Sequence, residues 1–136
     1  EEEKVGILFQ VGQALGELHQ AGMTHGRPAL RDFLFYQGKV TLLDWENQPR
    51  SENIKKRKTL DYLLLLLSLF REPYARKDYV EALEKGYADK AGAETRAWAR
   101  TFLRKHAFIG HLAKALDIFH MKDVEAFSKL YRYLAD

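Results

Sequence analysis

A mainly helical domain with one short β-hairpin is the fold class this sequence predicts, and three observations predict it. From Glu3 to Ala21 apolar residues recur at spacings of three and four, the signature of a helix with one buried face. Between residues 33 and 43 that spacing gives way to two short stretches of bulky apolar and β-branched residues around Gln37-Gly38. From Pro73 onward the chain returns to helical patterns, punctuated by Gly92, Gly110 and Met121-Lys122-Asp123.

In the first helix Val5, Leu8, Val11, Leu15 and Leu18 form the buried stripe. Gly12 and Gly16 lie four apart on one side, which lowers intrinsic helix stability but lets a neighbouring helix or loop approach closely. Gly22 is placed to end the helix and release the chain into a loop. The hairpin strands are Phe33 to Tyr36 and Lys39 to Leu43, and Gln37-Gly38 is a two-residue turn that favours tight reversal. An antiparallel pair closes the distance between its outer ends, so Asp32 and Asp44, twelve positions apart, are expected near one another. Two hard oxygen ligands facing a shared space suit magnesium, which takes one or two protein carboxylates and leaves its other positions to water and phosphate. The same two residues also fit plain turn or cap roles.

The second helix is expected to begin at Thr59 or a neighbour and to run through TLDYLLLLLSLF. Leucines surround it on nearly every side, so it belongs in a core, and it is far shorter than the roughly 20 apolar residues a bilayer span needs. Asp61 then falls in its first turn, where a negative charge complements the helix dipole. Further helices are expected over Lys77 to Tyr87, Glu94 to Phe108, Gly110 to Phe119 and Asp123 to Leu134, with Asp123 as an N-cap. Trp98, Phe102, Phe108, Phe119, Phe127, Tyr131 and Tyr133 supply aromatic core surface. His106, His111 and His120 lack the spacing of a metal motif and read as core or surface histidines.

The 136 residues suffice for one domain with a real core, taken as 1–136. Twenty-two Lys and Arg against nineteen Asp and Glu give a net charge of +3, too small to argue for nucleic acid as a partner. With no cysteine, disulfides and thiolate zinc sites are excluded. No signal peptide or membrane span is visible, so a cytoplasmic location is the expectation. There is no internal repeat or low-complexity tract.

A histidine, an oxygen ligand seven residues later, a hairpin, and then Asp-aromatic-acidic resembles the catalytic core of the protein-kinase-like superfamily. In its members the loop reads His-Arg-Asp or His-Gly-Asp, four further residues, then Asn, and the second strand ends in Asp-Phe-Gly or Asp-Trp-Glu. His25, Asp32, Leu34, Asp44 and Trp45 fall at matching positions. Gly26 and Glu46 look more like the bacterial lipopolysaccharide sugar kinases and RIO-type kinases than like eukaryotic protein kinases. The resemblance implies a protein-kinase-like C-terminal lobe with ATP and Mg2+ as cofactors. Asp44 would bind the metal that bridges the nucleotide phosphates, and Asp32 would take the second metal position normally held by Asn. His25 would pack and hydrogen-bond within the loop. Asp61 would be buried and would accept hydrogen bonds from the loop's backbone amides. Family members bind nucleotide between two lobes, and the Gly-rich turn, the phosphate-pairing Lys and the helix Glu of the small lobe do not occur here. The chain thus reads as a carboxy-terminal lobe whose missing N-terminal lobe is its first partner, and alone it should bind nucleotide weakly or not at all.

The chief departure is Arg27, which stands where the family has its catalytic base. A guanidinium stays charged and offers only donors, so it accepts no proton. Arg27 suits contact with a phosphate oxygen, or a solvated loop charge or salt bridge. Glu46 is the candidate to take the acceptor's proton or to add a metal ligand. Positions 44 and 61 are seventeen apart, too close for the long activation segment of regulated protein kinases. Gly26 also replaces the Arg that would hold a phosphate there, so control by phosphorylation of that segment is not expected. Arg50, Lys55, Lys56, Arg57 and Lys58 lie close to where a family member receives its acceptor. Such a cluster attracts phosphorylated sugars, anionic lipid surfaces or nucleic acid, and fits equally well as a solvated loop. Three functions follow as expectations: an atypical kinase acting on a hydroxyl, with a lipopolysaccharide core sugar at the inner membrane face as acceptor; a pseudokinase-like module binding a partner or anionic ligand; or a helical interaction domain with an accidental motif.

Overall fold

The structure, a computed structural model, describes residues 2–44, 53–106 and 121–135. Their element order is α1 (Glu2–Gln20), a 3-10 turn (Leu30–Asp32), β1 (Phe33–Tyr36), β2 (Lys39–Leu42), α2 (Ile54–Phe70), α3 (Lys77–Ala91), α4 (Glu94–Lys105) and α5 (Met121–Ala135). The protein is therefore mainly α with one two-stranded antiparallel hairpin. No helix among the described residues is long and apolar enough to cross a membrane.

α1 forms where its stripe predicts and buries Val11, Leu15 and Leu18. Its end is closed by two reverse hydrogen bonds, from Met23 N to Leu18 O (3.1 Å) and from Gly22 N to His19 O (2.9 Å), with Gly22 at φ 82°. This is the Schellman arrangement, which satisfies the last carbonyls and turns the chain sharply. Along its length α1 lies against α3, its most extensive neighbour. The two backbones meet at glycines. A Cβ on Gly12 would stand 1.9 Å from the Leu83 carbonyl oxygen, and one on Gly86 would stand 1.9 Å from that of Phe9.

The hairpin pairs Phe33 with Leu42 and Tyr36 with Lys39, and Gln37 and Gly38 both have positive φ, as a type I′ turn requires. The amide of Gln10 in α1 clamps it, with Nε2 donating to Gly38 O (3.2 Å) and Oε1 accepting from Val40 N (3.1 Å). One side of the hairpin faces the core through Val40, while Leu34, Phe35 and Tyr36 are exposed.

α2 begins at Ile54, five residues before the expected Thr59. Lys55, Lys56, Arg57 and Lys58 are consequently helical and not part of a loop, and Asp61 sits two turns inside the helix, not in its first turn. The dipole argument for Asp61 therefore fails, and hydrogen bonding accounts for its burial instead. Tyr62, Leu65, Leu66 and Leu69 of α2 are essentially inaccessible, and each such side chain contributes about 1.5–3 kcal/mol through burial. α2 packs against α4 and α5. A buried polar knot joins α2, α3 and α4: Tyr62 Oη donates to Glu84, and Arg96 Nε donates to the same carboxylate at 2.7 Å. Burial, followed by the Glu84 charge, raises the Tyr62 phenol well above its usual range.

α3 extends four residues past the expected Tyr87, and α5 starts at Met121, so Asp123 is inside the helix and does not cap it. Phe102, Phe127, Tyr131 and Tyr133 pack on the core as expected. Trp98 instead lies half-buried beside Lys55, whose Nζ is 5.1 Å from the ring centre. Trp45, Glu46, Arg50, Phe108, the expected helix from Gly110 to Phe119, His111 and His120 lie outside the described residues.

Candidate functional site

The loop from Thr24 to Asp32 is held from below by two side chains of α2 that stand seven residues, or two helical turns, apart. Asp61 Oδ2 accepts the backbone N–H of His25 at 2.7 Å, and its Oδ1 accepts that of Gly26 at 2.9 Å. Ser68 Oγ accepts the N–H of Leu30 at 3.1 Å while donating to Leu65 O. Asp61 is 1% exposed, and a polar side chain so placed needs hydrogen-bond partners. The hydrogen bonds expected of Asp61 from the sequence are thus present, from a different place in its helix.

Asp61 has a third partner. His19 Nε2 lies 2.9 Å from Oδ2, His19 Nδ1 lies 2.6 Å from Tyr87 Oη, and Tyr87 Oη lies 2.9 Å from Thr95 Oγ1. Tyr87 donates its hydroxyl proton to Thr95 Oγ1, and the His19 imidazole bridges the Tyr87 oxygen and the Asp61 carboxylate. Burial pushes the Tyr87 phenol up to about 12, with the Thr95 hydrogen bond acting in the opposite direction and the Asp61 charge adding to the rise. Sequence reasoning missed this relay. A signal for its first member existed: His19 lies four residues after Leu15 and eight after Val11, on the buried stripe of α1, where a polar side chain requires a partner.

His25 is buried and uses both ring nitrogens. Nε2 donates to Leu43 O at 3.2 Å, and Nδ1 accepts the N–H of Arg27 at 3.4 Å. It therefore ties the loop to the end of the hairpin, the packing and hydrogen-bonding role expected of it. Asp32 closes the 3-10 turn, its Oδ2 accepting from Ala29 N at 2.9 Å while its own N–H donates to Ala29 O. The cap role is thus real, and it leaves Oδ1 outside these contacts. Beyond the last strand pair, Leu43 N donates to Asp32 O at 2.6 Å, which brings Asp44 next to the turn that carries Asp32. Asp44 has φ 57°. A left-handed conformation at a residue other than glycine is uncommon, although Asp and Asn adopt it most readily, and such residues concentrate at functional sites.

These elements enclose a cavity of about 590 Å3 lined by His25, Arg27, Arg31, Asp32, Asp44 and Arg57, with Asp61 at its base. The two carboxylates and the arginine singled out from the sequence are therefore brought together. Arg57 joins them from the first turns of α2. Lys55 and Lys56 do not: they line a separate groove with Trp98, Phe102 and His106. Arg31 is a cavity residue that sequence reasoning passed over.

No family model matches the chain, and no solved structure matches it. It is similar to an uncharacterized protein of Haemophilus influenzae, with 31% identity over 114 residues, covering 82% of this chain and 46% of that protein. The chain spans about half the length of the curated relative it matches.

As a metal site the cavity has a definite character. Among the described residues no group of three or more His, Asp or Glu side chains is arranged to hold an ion unaided. Asp32 and Asp44 are two carboxylates on one wall. That donor set fits a cation that keeps most of its shell as water and ligand phosphate, as magnesium does, and does not fit zinc or calcium cages.

Proposed function

We propose that this chain is the carboxy-terminal, catalytic-loop lobe of an atypical kinase, an ATP-dependent phosphotransferase. One observation carries the reading: His25, Asp32 and Asp44, which match the superfamily's loop and strand-end pattern, line a single cavity whose loop is fixed from beneath by Asp61. In this reading Asp44 and Asp32 hold magnesium with the nucleotide phosphates, and the metal supplies charge neutralisation when bound. The chain's own residues fix the geometry. Asp61 and Ser68 set the loop, His25 sets the distance from loop to hairpin, and Arg27, Arg31 and Arg57 offer cationic donors to ligand oxygens. A partner lobe in the full-length protein completes the nucleotide cleft. A lipopolysaccharide core sugar is the acceptor that the resemblance suggests, with the protein in the cytoplasm at the inner membrane face.

A second reading, a pseudokinase-like module that binds nucleotide or another anion without turnover, is favoured by Arg27 lining the cavity in the place of the base. The test uses the full-length protein. Calorimetry should show magnesium-dependent ATP binding that is lost in Asp44→Ala, whose melting temperature should fall only slightly through the strain of alanine at φ 57°. Equal binding by Asp44→Ala, or binding indifferent to magnesium, would refute the kinase reading, and failure to bind ATP or any other anion would refute the binding module. ADP release at a steady rate separates the kinase from the binding module.

A further inference from the structure

We infer that the arginine wall of this cavity is an oxyanion subsite, and that the second ligand, the acceptor, carries an ionised oxygen group of the phosphate or carboxylate class. The inference rests on the kinase-lobe reading and replaces its hydroxyl acceptor with an ionised one. Arg27 and Arg31 are both exposed side chains lining the cavity, and neither guanidinium forms an ion pair among the described residues. Arg57 adds a third guanidinium from α2. Among the described residues, the cavity's acidic groups form no ion pair with Arg27 or Arg31. Asp61 is committed to two backbone amides and His19, and Oδ2 of Asp32 to the N–H of Ala29.

What faces a ligand on the arginine side is a surface of donors. A guanidinium presents five N–H groups in a planar fork and no acceptor, and it pairs best with a bidentate acceptor such as phosphate or carboxylate. A neutral hydroxyl uses such a surface poorly, because it accepts one hydrogen bond and has a proton of its own to place. Of the proton acceptors nearby, both ring nitrogens of His25 are engaged, Oδ2 of Asp32 holds Ala29 N–H, and Asp32 Oδ1 and Asp44 are given to magnesium in the kinase-lobe reading. An ionised acceptor removes that difficulty. Its oxygen attacks the terminal phosphorus with no proton to surrender, the bond from that phosphorus to the bridging oxygen breaks, and the electron pair leaves with the nucleoside diphosphate. Arg27 in the place of a base is then consistent with the substrate's charge.

The test compares three probes with one carbon skeleton, glycerol 3-phosphate, glycerate and glycerol, titrated into full-length protein saturated with Mg2+ and a non-hydrolysable ATP analogue. Failure to saturate with the analogue overturns the kinase-lobe reading itself, and this inference with it. Given saturation, at least one anion is expected to bind tenfold or more tightly than glycerol; the phosphate alone assigns a phosphate ester, and the carboxylate alone assigns an acid. Arg27→Gln and Arg31→Gln should each weaken that anion at least tenfold, and Arg31→Lys should recover part of the loss. Three probes binding alike, or neither anion weakened by the arginine variants, overturns the inference. ADP release in the presence of ATP should likewise be faster with the preferred anion than with glycerol, and equal rates overturn it too.

Discussion

Asp61 receives the backbone N–H of His25 at 2.7 Å from a position two turns inside α2, so the loop under the cavity is anchored to a helix that buries Tyr62, Leu65, Leu66 and Leu69. The carboxylate is shared among the His25 and Gly26 amides and the His19 imidazole, all in an environment with little water to compensate a loss. Removing it in Asp61→Ala leaves three donors without an acceptor, those of His19 and His25 in buried positions. The expected cost is about 3–5 kcal/mol, the range for breaking a buried charged network. Urea unfolding checks the magnitude. Hydrogen exchange checks the mechanism, because the His25 and Gly26 amides should lose protection more than amides elsewhere in the protein. A cost below about 1 kcal/mol, or uniform loss of protection, would show that the loop does not depend on this anchor.

The α1 and α3 backbones touch at Gly12 and Gly86, whereas Gly6 in the same first helix has nothing within 4 Å of an added Cβ. The three positions therefore separate propensity from sterics. Gly6→Ala should stabilise the protein by about 0.5–1 kcal/mol, the ordinary gain at an exposed helical site. Gly12→Ala and Gly86→Ala should each destabilise it by about 3 kcal/mol or more, because the obstructing atom is a backbone carbonyl that moves only with its helix. Denaturant midpoints of the three variants give the answer directly. A neutral outcome at Gly12 or Gly86 would mean the helices separate at little cost.

Patterns local in sequence were legible. The stripe in α1, the Gly22 terminator, the Gln37-Gly38 turn and the apolar α2 all formed where spacing and turn chemistry placed them. The start of α2 was not. Four basic residues near a helix N-terminus oppose its dipole, so Lys55 to Lys58 looked like loop; contacts remote in sequence hold that turn instead, including Lys55 over Trp98. Asp32, Asp44 and His25 could be read as neighbours because a hairpin brings its ends together. The relay from Asp61 to Tyr87 could not, since His19 and Tyr87 lie 68 positions apart and meet only because α1 and α3 pack closely. Arg31 escaped notice for a simpler reason: a lone arginine in a loop has no pattern.

The hairpin turn offers an independent check on register. Gln37 is held at φ 50°, in the left-handed region, where asparagine is better accommodated than glutamine. Gln37→Asn should therefore raise stability by about 0.5 kcal/mol. Gly38, at φ 78°, should lose about 1 kcal/mol or more on replacement by Ala through conformation alone, since its surroundings are open. Both changes are read from thermal unfolding. A destabilised Gln37→Asn would indicate that the turn is not of the I′ type.

Two buried tyrosines and a half-buried one give the fold a defined alkaline limit. Burial raises the phenols of Tyr62 and Tyr133 above their ordinary value, and it raises that of Tyr87 from 10 to about 12. A pKa that is higher folded than unfolded means the native state holds the proton more tightly. The stabilisation is then fully present below pH 10 and is lost as the pH rises through about 12. At about 1.4 kcal/mol per unit, Tyr87 alone accounts for a loss on the order of 2–3 kcal/mol across that window. Unfolding free energies measured at pH 9 and near pH 12 should fall accordingly, and phenolate absorbance should show these tyrosines ionising together with unfolding and not before it. Tyr87→Phe separates the two contributions of this side chain. It should be less stable than the parent at pH 9, because His19 Nδ1 and Thr95 Oγ1 lose their hydrogen-bond partner, and it should lose less on going to high pH, because the titrating phenol is gone. Parallel loss in parent and variant would place the alkaline limit elsewhere than at Tyr87.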